Sequence, residues 1–229
     1  MSSLTSLPAE FALLQRCLTE VSDPRRRRGI RHPLRGVLCL SVLALMAGAD
    51  SLSAIFRWGS LHPEVLSALG LRCSPSVATL SRLLRAVSVA DVRQALLCFT
   101  RHLQPARAAT PSQELIVAAD GKTLRGCWED GRQLHLLQVF ATQSRLVLDQ
   151  VPIRDRREEV SATQAWVTQV ADQFPGLCVL TGDALLADRS LCRAIVESGR
   201  DYLVRVKKTK RTSTKHASFS SPTRRACPI

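Results

Sequence analysis

Leu115-Ile116-Val117-Ala118-Ala119-Asp120-Gly121-Lys122-Thr123-Leu124-Arg125-Gly126 is the stretch whose reading decides how the second half of the chain folds. Five consecutive apolar residues, rich in branched side chains, run straight into a carboxylate. An unbroken apolar run of that length suits a strand buried on both faces. Where such a strand leaves its sheet, Asp120 emerges from the core and could hold a metal ion. Gly121 and Gly126 then let backbone approach closely, while Lys122 and Arg125 place cations where a phosphate would sit. The competing reading is that Asp120-Gly121 is a two-residue hairpin loop, a sequence such loops favour.

Downstream, alternating patterns predict strands over Leu134–Ala141 and Leu146–Ile153, turning at Thr142-Gln143-Ser144. A helix is expected over Ser161–Phe174, ended by Pro175-Gly176. Leu177-Cys178-Val179-Leu180-Thr181-Gly182-Asp183 repeats the opening theme, an apolar strand ending in a carboxylate. A helix over Ala184–Ser198 closed by Gly199, and a strand over Asp201–Val206, complete the series. Three strands, helix, strand, helix, strand is the order in which a ribonuclease-H-like α/β fold begins.

Upstream the periodicity is helical. Helices are expected over Pro8–Val21, Leu34–Ala49, Ser51–Leu61, Pro63–Gly70 and Ser88–Leu103. Leu34–Ala49 is apolar nearly all round, as a buried central helix should be. In Ser74-Pro75-Ser76-Val77-Ala78-Thr79-Leu80-Ser81-Arg82-Leu83-Leu84-Arg85, Ser74 can cap, and Val77, Leu80 and Leu84 share a face. Arg82 and Arg85 are then free to contact DNA in a helix-turn-helix manner, although an ordinary bundle helix reads the same way. Between the first two helices lies Asp23-Pro24-Arg25-Arg26-Arg27-Arg28-Gly29-Ile30-Arg31-His32-Pro33. Arg25, Arg26, Arg27, Arg28 and Arg31 there suit either a solvated surface loop or an arm that contacts phosphates. The division expected is a helical DNA-binding domain over 1–104, a linker over 105–111, a partial ribonuclease-H-like domain over 112–208, and a disordered basic tail over 209–229.

Composition narrows the partner. The 229 residues carry a net charge of +13 and a pI near 10.3, which favours a polyanion such as double-stranded DNA. Residues 202–229 hold eight Lys/Arg and no acid, so the preceding 201 residues are only moderately basic, at a net +5. Eight scattered cysteines without C-x-x-C spacing read as reduced, mostly apolar positions in a cytoplasmic protein, not as a zinc site or disulfide framework. Val37–Ala49, the longest apolar stretch, is too short to span a bilayer, so no membrane partner is expected.

Two apolar strands that each end in Asp place Asp120 and Asp183 side by side if the strands are neighbours. Two like charges that close are unfavourable unless a cation lies between them, and Mg²⁺ or Mn²⁺ takes such oxygens while keeping water positions open to a phosphate. The expected catalytic and metal-holding residues are therefore Asp120 and Asp183, with Lys122 and Arg125 against phosphate oxygens. The alternative for Asp183 is a helix cap, which metal binding does not exclude.

These residues carry a resemblance. Asp120-Gly121-Lys122-Thr123-Leu124-Arg125-Gly126, Leu134-His135-Leu136, Arg157-Glu158-Glu159-Val160 and Thr181-Gly182-Asp183-Ala184 resemble the insertion-sequence transposases that include the H-repeat-associated proteins. Asp23-Pro24-Arg25 with Arg31-His32-Pro33-Leu34 is similar to their helical associated domain, and the likeness runs from about Leu13 to Lys208. The resemblance implies a three-carboxylate transposase acting on transposon-end DNA, with Asp120 and Asp183 as the first two acids. Glu159 and His135 match family positions as accessory candidates.

The family's third acid lies on a helix beyond the fifth strand, whereas this chain has no acid after Asp201. From Thr209 the text loses helical period and apolar face and reads as an out-of-frame end, so the expectation is a truncated transposase with little or no activity. Two further readings stand beside it: a DNA-binding remnant that inhibits an intact copy, and a ribonuclease-H-like nuclease. A homo-oligomer is compatible with each of them.

Overall fold

The computed structural model describes residues 9–26, 28, 30–107, 114–129 and 131–205, so the expected tail, Arg27 and part of the expected linker lie outside the described residues. Six helices come first: α1 (Ala9–Thr19), α2 (Leu34–Met46), α3 (Leu52–Leu61), α4 (Pro63–Ala68), α5 (Val77–Ala86) and α6 (Val89–Arg107). Helix α2 is the buried axis its composition predicts, with Val37, Cys39, Leu40 and Ala44 fully inaccessible. Around it pack Phe11, Leu14 and Leu18 of α1, Ile55 of α3, Leu66 of α4, and Leu80 and Leu83 of α5.

A helix start and a helix end differ from expectation. The cap of α5 is Ser76, whose side chain accepts from Thr79 N at 3.3 Å, because the hydroxyl of Ser74 is spent on Phe56 O at 2.9 Å. Val77 thus sits in an exposed first turn, and the buried stripe runs through Leu80 and Leu83. Helix α6 continues through Arg107, four residues beyond its expected end and into the expected linker. Burial of Leu103, and a 2.6 Å bond from Ser144 Oγ to Gln104 Oε1, hold that last turn against the sheet.

Gly36 is where α2 meets the α4 corner most closely. A Cβ there would lie 2.6 Å from the backbone oxygen of Leu69 and 3.1 Å from a Leu71 methyl. Alanine in mid-helix gains about 1 kcal/mol of propensity, whereas overpacking against rigid backbone costs about 1–3 kcal/mol. Gly36→Ala should therefore be destabilising on balance, lowering the melting temperature by about 2–6 °C. An unchanged or higher melting temperature would show that the corner yields.

The second half forms β1 (Leu115–Glu129), β2 (Arg132–Ala141), β3 (Leu146–Ile153), α7 (Glu159–Gln169), β4 (Leu177–Gly182), α8 (Arg189–Glu197) and β5 (Asp201–Val204). They build one five-stranded sheet in the order β3-β2-β1-β4-β5. Strand β2 is antiparallel to β1 and β3, and β4 is parallel to β1 and β5. The fold class is thus mixed α/β after an all-helical segment. Leu115, Val117 and Ala119 bury one face of β1 completely, while Ile116 and Ala118 on the other face are half-buried rather than fully covered.

Asp120-Gly121 is not a turn. β1 runs through it to Glu129, with Asp120 opposite Gln138, and the chain reverses between Glu129 and Arg132. The expected helix after Asp183 is broken, because Asp188 accepts from Ser190 N and Leu191 N and starts α8 afresh. Helix α7 begins at Glu159, two residues before its expected start, and buries Thr163, Trp166 and Val167.

Helix α6 joins the two cores, with Ala95 in the helical cluster and Leu97 in the sheet cluster. Its Arg93 donates to both oxygens of Asp149 on β3, at 2.9 and 2.7 Å, and Trp166 Nε1 of α7 donates to the same carboxylate at 3.0 Å. Of the cysteines placed in apolar runs, Cys39 is in the core, while Cys98 and Cys178 are only half-buried.

Candidate functional site

The parallel register of β1 with β4 positions the two strand-ending acids. Ala119 pairs with Gly182, so Asp120 and Asp183 are the next residues on neighbouring strands, at the level where β4 stops and β1 continues with β2 alone. Both are exposed. Asp183 also caps, as the alternative reading had it: its Oδ1 accepts from Leu185 N at 2.8 Å and opens a 3₁₀ turn over Ala184–Leu186. Lys122, two residues beyond Asp120 and hence on the same strand face, forms an ion pair with it.

Glu159 completes the cluster. It stands at the first turn of α7, 7% exposed, and its carboxylate lies over Gly121: an added Cβ would meet Oε1 at 2.0 Å. Only glycine beside Asp120 leaves that room. Burial, then the negative charge of Asp183, pushes the Glu159 carboxyl above its ordinary range, and Asp120 adds to this, while Arg156 and His135 oppose it. His135 is itself tied to β1, with Nδ1 3.0 Å from Thr123 Oγ1. The sequence offered Glu159 only as an accessory, whereas the fold brings it to the two aspartates. Its signal was the pairing of a glycine after Asp120 with an acid at a helix start.

The sign of the Glu159 effect gives a prediction. A carboxyl raised in the folded state favours folding when protonated, below its unfolded value near 4.5, and that advantage is lost as pH rises through the folded value. In chelator, Glu159→Gln should raise the melting temperature at pH 7–8 and leave it unchanged near pH 4. A gain that is equal at both ends would mean that charge is not the cause.

Among the described residues, no group of three or more His, Cys, Asp or Glu is arranged to hold a metal ion. Mg²⁺ asks for less, because it usually keeps several waters and takes one or two carboxylates plus substrate phosphates. Asp120 and Asp183 meet that requirement, and the crowding that raises Glu159 is what a cation would relieve.

The remaining site residues are dispersed. Arg125 is exposed in the irregular part of β1 between Thr123 and Trp128. Arg82 and Arg85 are exposed on α5, with Arg82 Nε bonded to Ala78 O at 3.2 Å. Arg25 differs from the expected phosphate arm: its guanidinium is committed to Asp23 at 2.7 Å and to His32 O at 2.9 Å, so it fastens the loop. Arg26, Arg28 and Arg31 are exposed, and Arg27 lies outside the described residues. Sequence reading gave no role to Arg132, Arg154, Arg156 or Arg157, the last quoted only within the Arg157–Val160 resemblance, and the fold gathers them beside His135. The Arg154-Asp155-Arg156-Arg157 run was their only signal.

A helical module joined to an α/β sheet, with acids where the pairing of its two central parallel strands stops, describes the chain's class, and comparison with known proteins refines it. Residues 15–100 match the family model described as DDE_Tnp_1-associated. Over 203 residues the chain is 26% identical to "Putative protein YbfL" of Escherichia coli strain K12, covering 86% of this chain and 52% of that protein. It is 25% identical over 206 residues to "H repeat-associated putative transposase YhhI" of the same strain, covering 88% and 52% respectively. The chain thus spans about half the length of these relatives. The matches that span most of the chain are to proteins named as putative transposases, H repeat-associated ones among them. The cryo-EM structure of piggyBac transposase synaptic complex with hairpin DNA aligns over 88% of this chain and 51% of that one, at 13% identity and a TM-score of 0.43, too slight a likeness to argue from. No described helix is long and apolar enough to cross a membrane.

Proposed function

We propose that the chain carries the metal-dependent phosphoryl-transfer site of an insertion-sequence transposase, on a ribonuclease-H-like sheet, and acts on double-stranded DNA at transposon ends. The observation that carries this reading is the Ala119–Gly182 register, which makes Asp120 and Asp183 neighbours where the parallel pairing of β1 with β4 stops. The β3-β2-β1-β4-β5 order, with β2 antiparallel, supports the ribonuclease-H-like assignment.

In this reading Asp120 and Asp183 hold Mg²⁺ or Mn²⁺. Bound there, the ion supplies Lewis-acid polarisation of a phosphoryl oxygen and lowers the pKa of the attacking water. Lys122, paired with Asp120, is within reach to transfer its charge to a non-bridging phosphate oxygen. Glu159, with its raised carboxyl, is suited to take up a proton released at the site. Arg26, Arg28, Arg31, Arg82 and Arg85 neutralise backbone phosphates away from the chemistry.

A second reading, a DNA-binding chain that occupies transposon ends without cutting, is favoured by the absence of a three-ligand acidic group among the described residues. One experiment separates the two. The purified chain is incubated with end-labelled DNA carrying the terminal sequences of its own element, with Mg²⁺ or with chelator. Metal-dependent nicking at the element boundary supports phosphoryl transfer. Specific binding without nicking supports the second reading, and neither binding nor nicking overturns both.

A further inference from the structure

The start of β2 and the segment between β3 and α7 border an open depression of about 510 Å³, lined by Arg132, His135, Arg154, Asp155, Arg156 and Arg157. A second depression of about 570 Å³ shares Arg132 and Arg154 with it, so the two form a strip along the sheet edge. All four arginines are exposed. The carboxylates nearest to them are already engaged by backbone. Asp155 Oδ1 accepts from Arg157 N at 2.7 Å, and Glu158 Oε2 accepts from Arg154 N at 2.8 Å. Among the described residues none of the four guanidiniums has an ion-pair partner within 4.0 Å. Four like charges around one depression repel one another, which an anion on the strip relieves.

The strip also adjoins the carboxylate cluster, since His135 and Arg156 both lie close enough to Glu159 to act on its charge. Planar guanidinium forks bind phosphate oxygens in pairs, and a row of four exceeds what one small anion can occupy. We infer that this arginine strip binds the phosphodiester backbone of the DNA strand that enters the Asp120–Asp183 site. The inference rests on the DNA-processing reading for what the strand is doing there. Backbone binding itself needs neither metal nor chemistry, and so can be tested alone.

The test uses the full chain, a fluorescently labelled duplex and the matching single strand, in chelator, over a series of salt concentrations. Arg132→Ala/Arg154→Ala and Arg154→Ala/Arg157→Ala should each weaken binding about tenfold or more for every DNA sequence. They should also flatten the salt dependence by up to about 0.9 per lost contact on duplex and about 0.7 on single strand. Arginine-to-lysine versions should recover part of the affinity, because the charge remains and the fork is lost. The arginines are exposed, so melting temperatures should stay at the parental value; a variant that melts early is replaced by its lysine counterpart. Undiminished affinity and salt slope in both double variants would overturn the inference, as would polyglutamate competing as well as DNA does. Asp120→Asn separates the two claims. If it binds DNA like the parent while the arginine variants do not, the strip stands even where no nicking is found. If the arginine variants nick DNA at undiminished affinity, the strip fails and the phosphoryl-transfer reading survives.

Discussion

Asp149→Ala is expected to destabilise the chain by about 3 kcal/mol, a fall in melting temperature of about 6–12 °C. The Asp149 side chain is 1% exposed, and it accepts both forks of Arg93 and the indole N–H of Trp166. Removing it leaves a half-buried guanidinium and a buried donor unpartnered on two different helices. Breaking a buried pair from one side costs about 3–5 kcal/mol; the lower end applies because the Arg93 side chain keeps 25% of its surface in water. Asp149→Asn retains part of the hydrogen bonding and should cost roughly half as much. Thermal melts of the three proteins decide the matter. A loss below 2 °C for alanine would show that the other contacts of α6 with the sheet suffice to hold it.

Asp183→Asn and Asp120→Asn should each reduce metal-dependent nicking of transposon-end DNA about a thousandfold while leaving DNA binding in chelator intact. A ligand whose ion supplies several kcal/mol at the transition state is worth that much in rate. Gly121→Ala is the instructive companion, because its Cβ would displace the Glu159 carboxylate. The displaced group is the tip of a flexible side chain, so the fold should survive, and a drop in nicking there would assign Glu159 a part in the chemistry. Equal nicking by Asp183→Asn and the parent would remove Asp183 from the site.

Much of this was legible in the sequence for definite reasons. The apolar runs Leu115–Ala119 and Leu177–Gly182 located Asp120 and Asp183 because the buried parallel pairing of β1 with β4 stops at those carboxylates, although β1 itself continues to Glu129. Capping chemistry was legible in kind but not in place: Ser74 and Ser76 are alike as letters, and only the approach of Phe56 O decides which is free. The length of β1 was hidden because Asp120-Gly121 and Asp130-Gly131 carry the same turn signal, and the cross-strand register chooses between them. Glu159 and three of the four arginines sit in one charged run that reads as surface, while Arg132 opens β2. Their grouping depends on β2, β3 and α7 meeting, contacts that no local period encodes. Asp149 was hidden in the same way, looking like the polar member of an alternating strand until Arg93 and Trp166 converge on it.

The central claim is that Asp120 and Asp183 share a divalent cation, and Mn²⁺ binding tests it most directly. The full chain is titrated with Mn²⁺, and free ion is counted by its paramagnetic resonance signal, with Asp120→Asn, Asp183→Asn and Asp188→Asn measured alongside. Asp188 caps α8 and should play no part. A saturable site is expected in the parent and in Asp188→Asn, and its loss in Asp120→Asn and in Asp183→Asn. Mn²⁺ binding of undiminished affinity and stoichiometry when both Asp120 and Asp183 are replaced by Asn would contradict it.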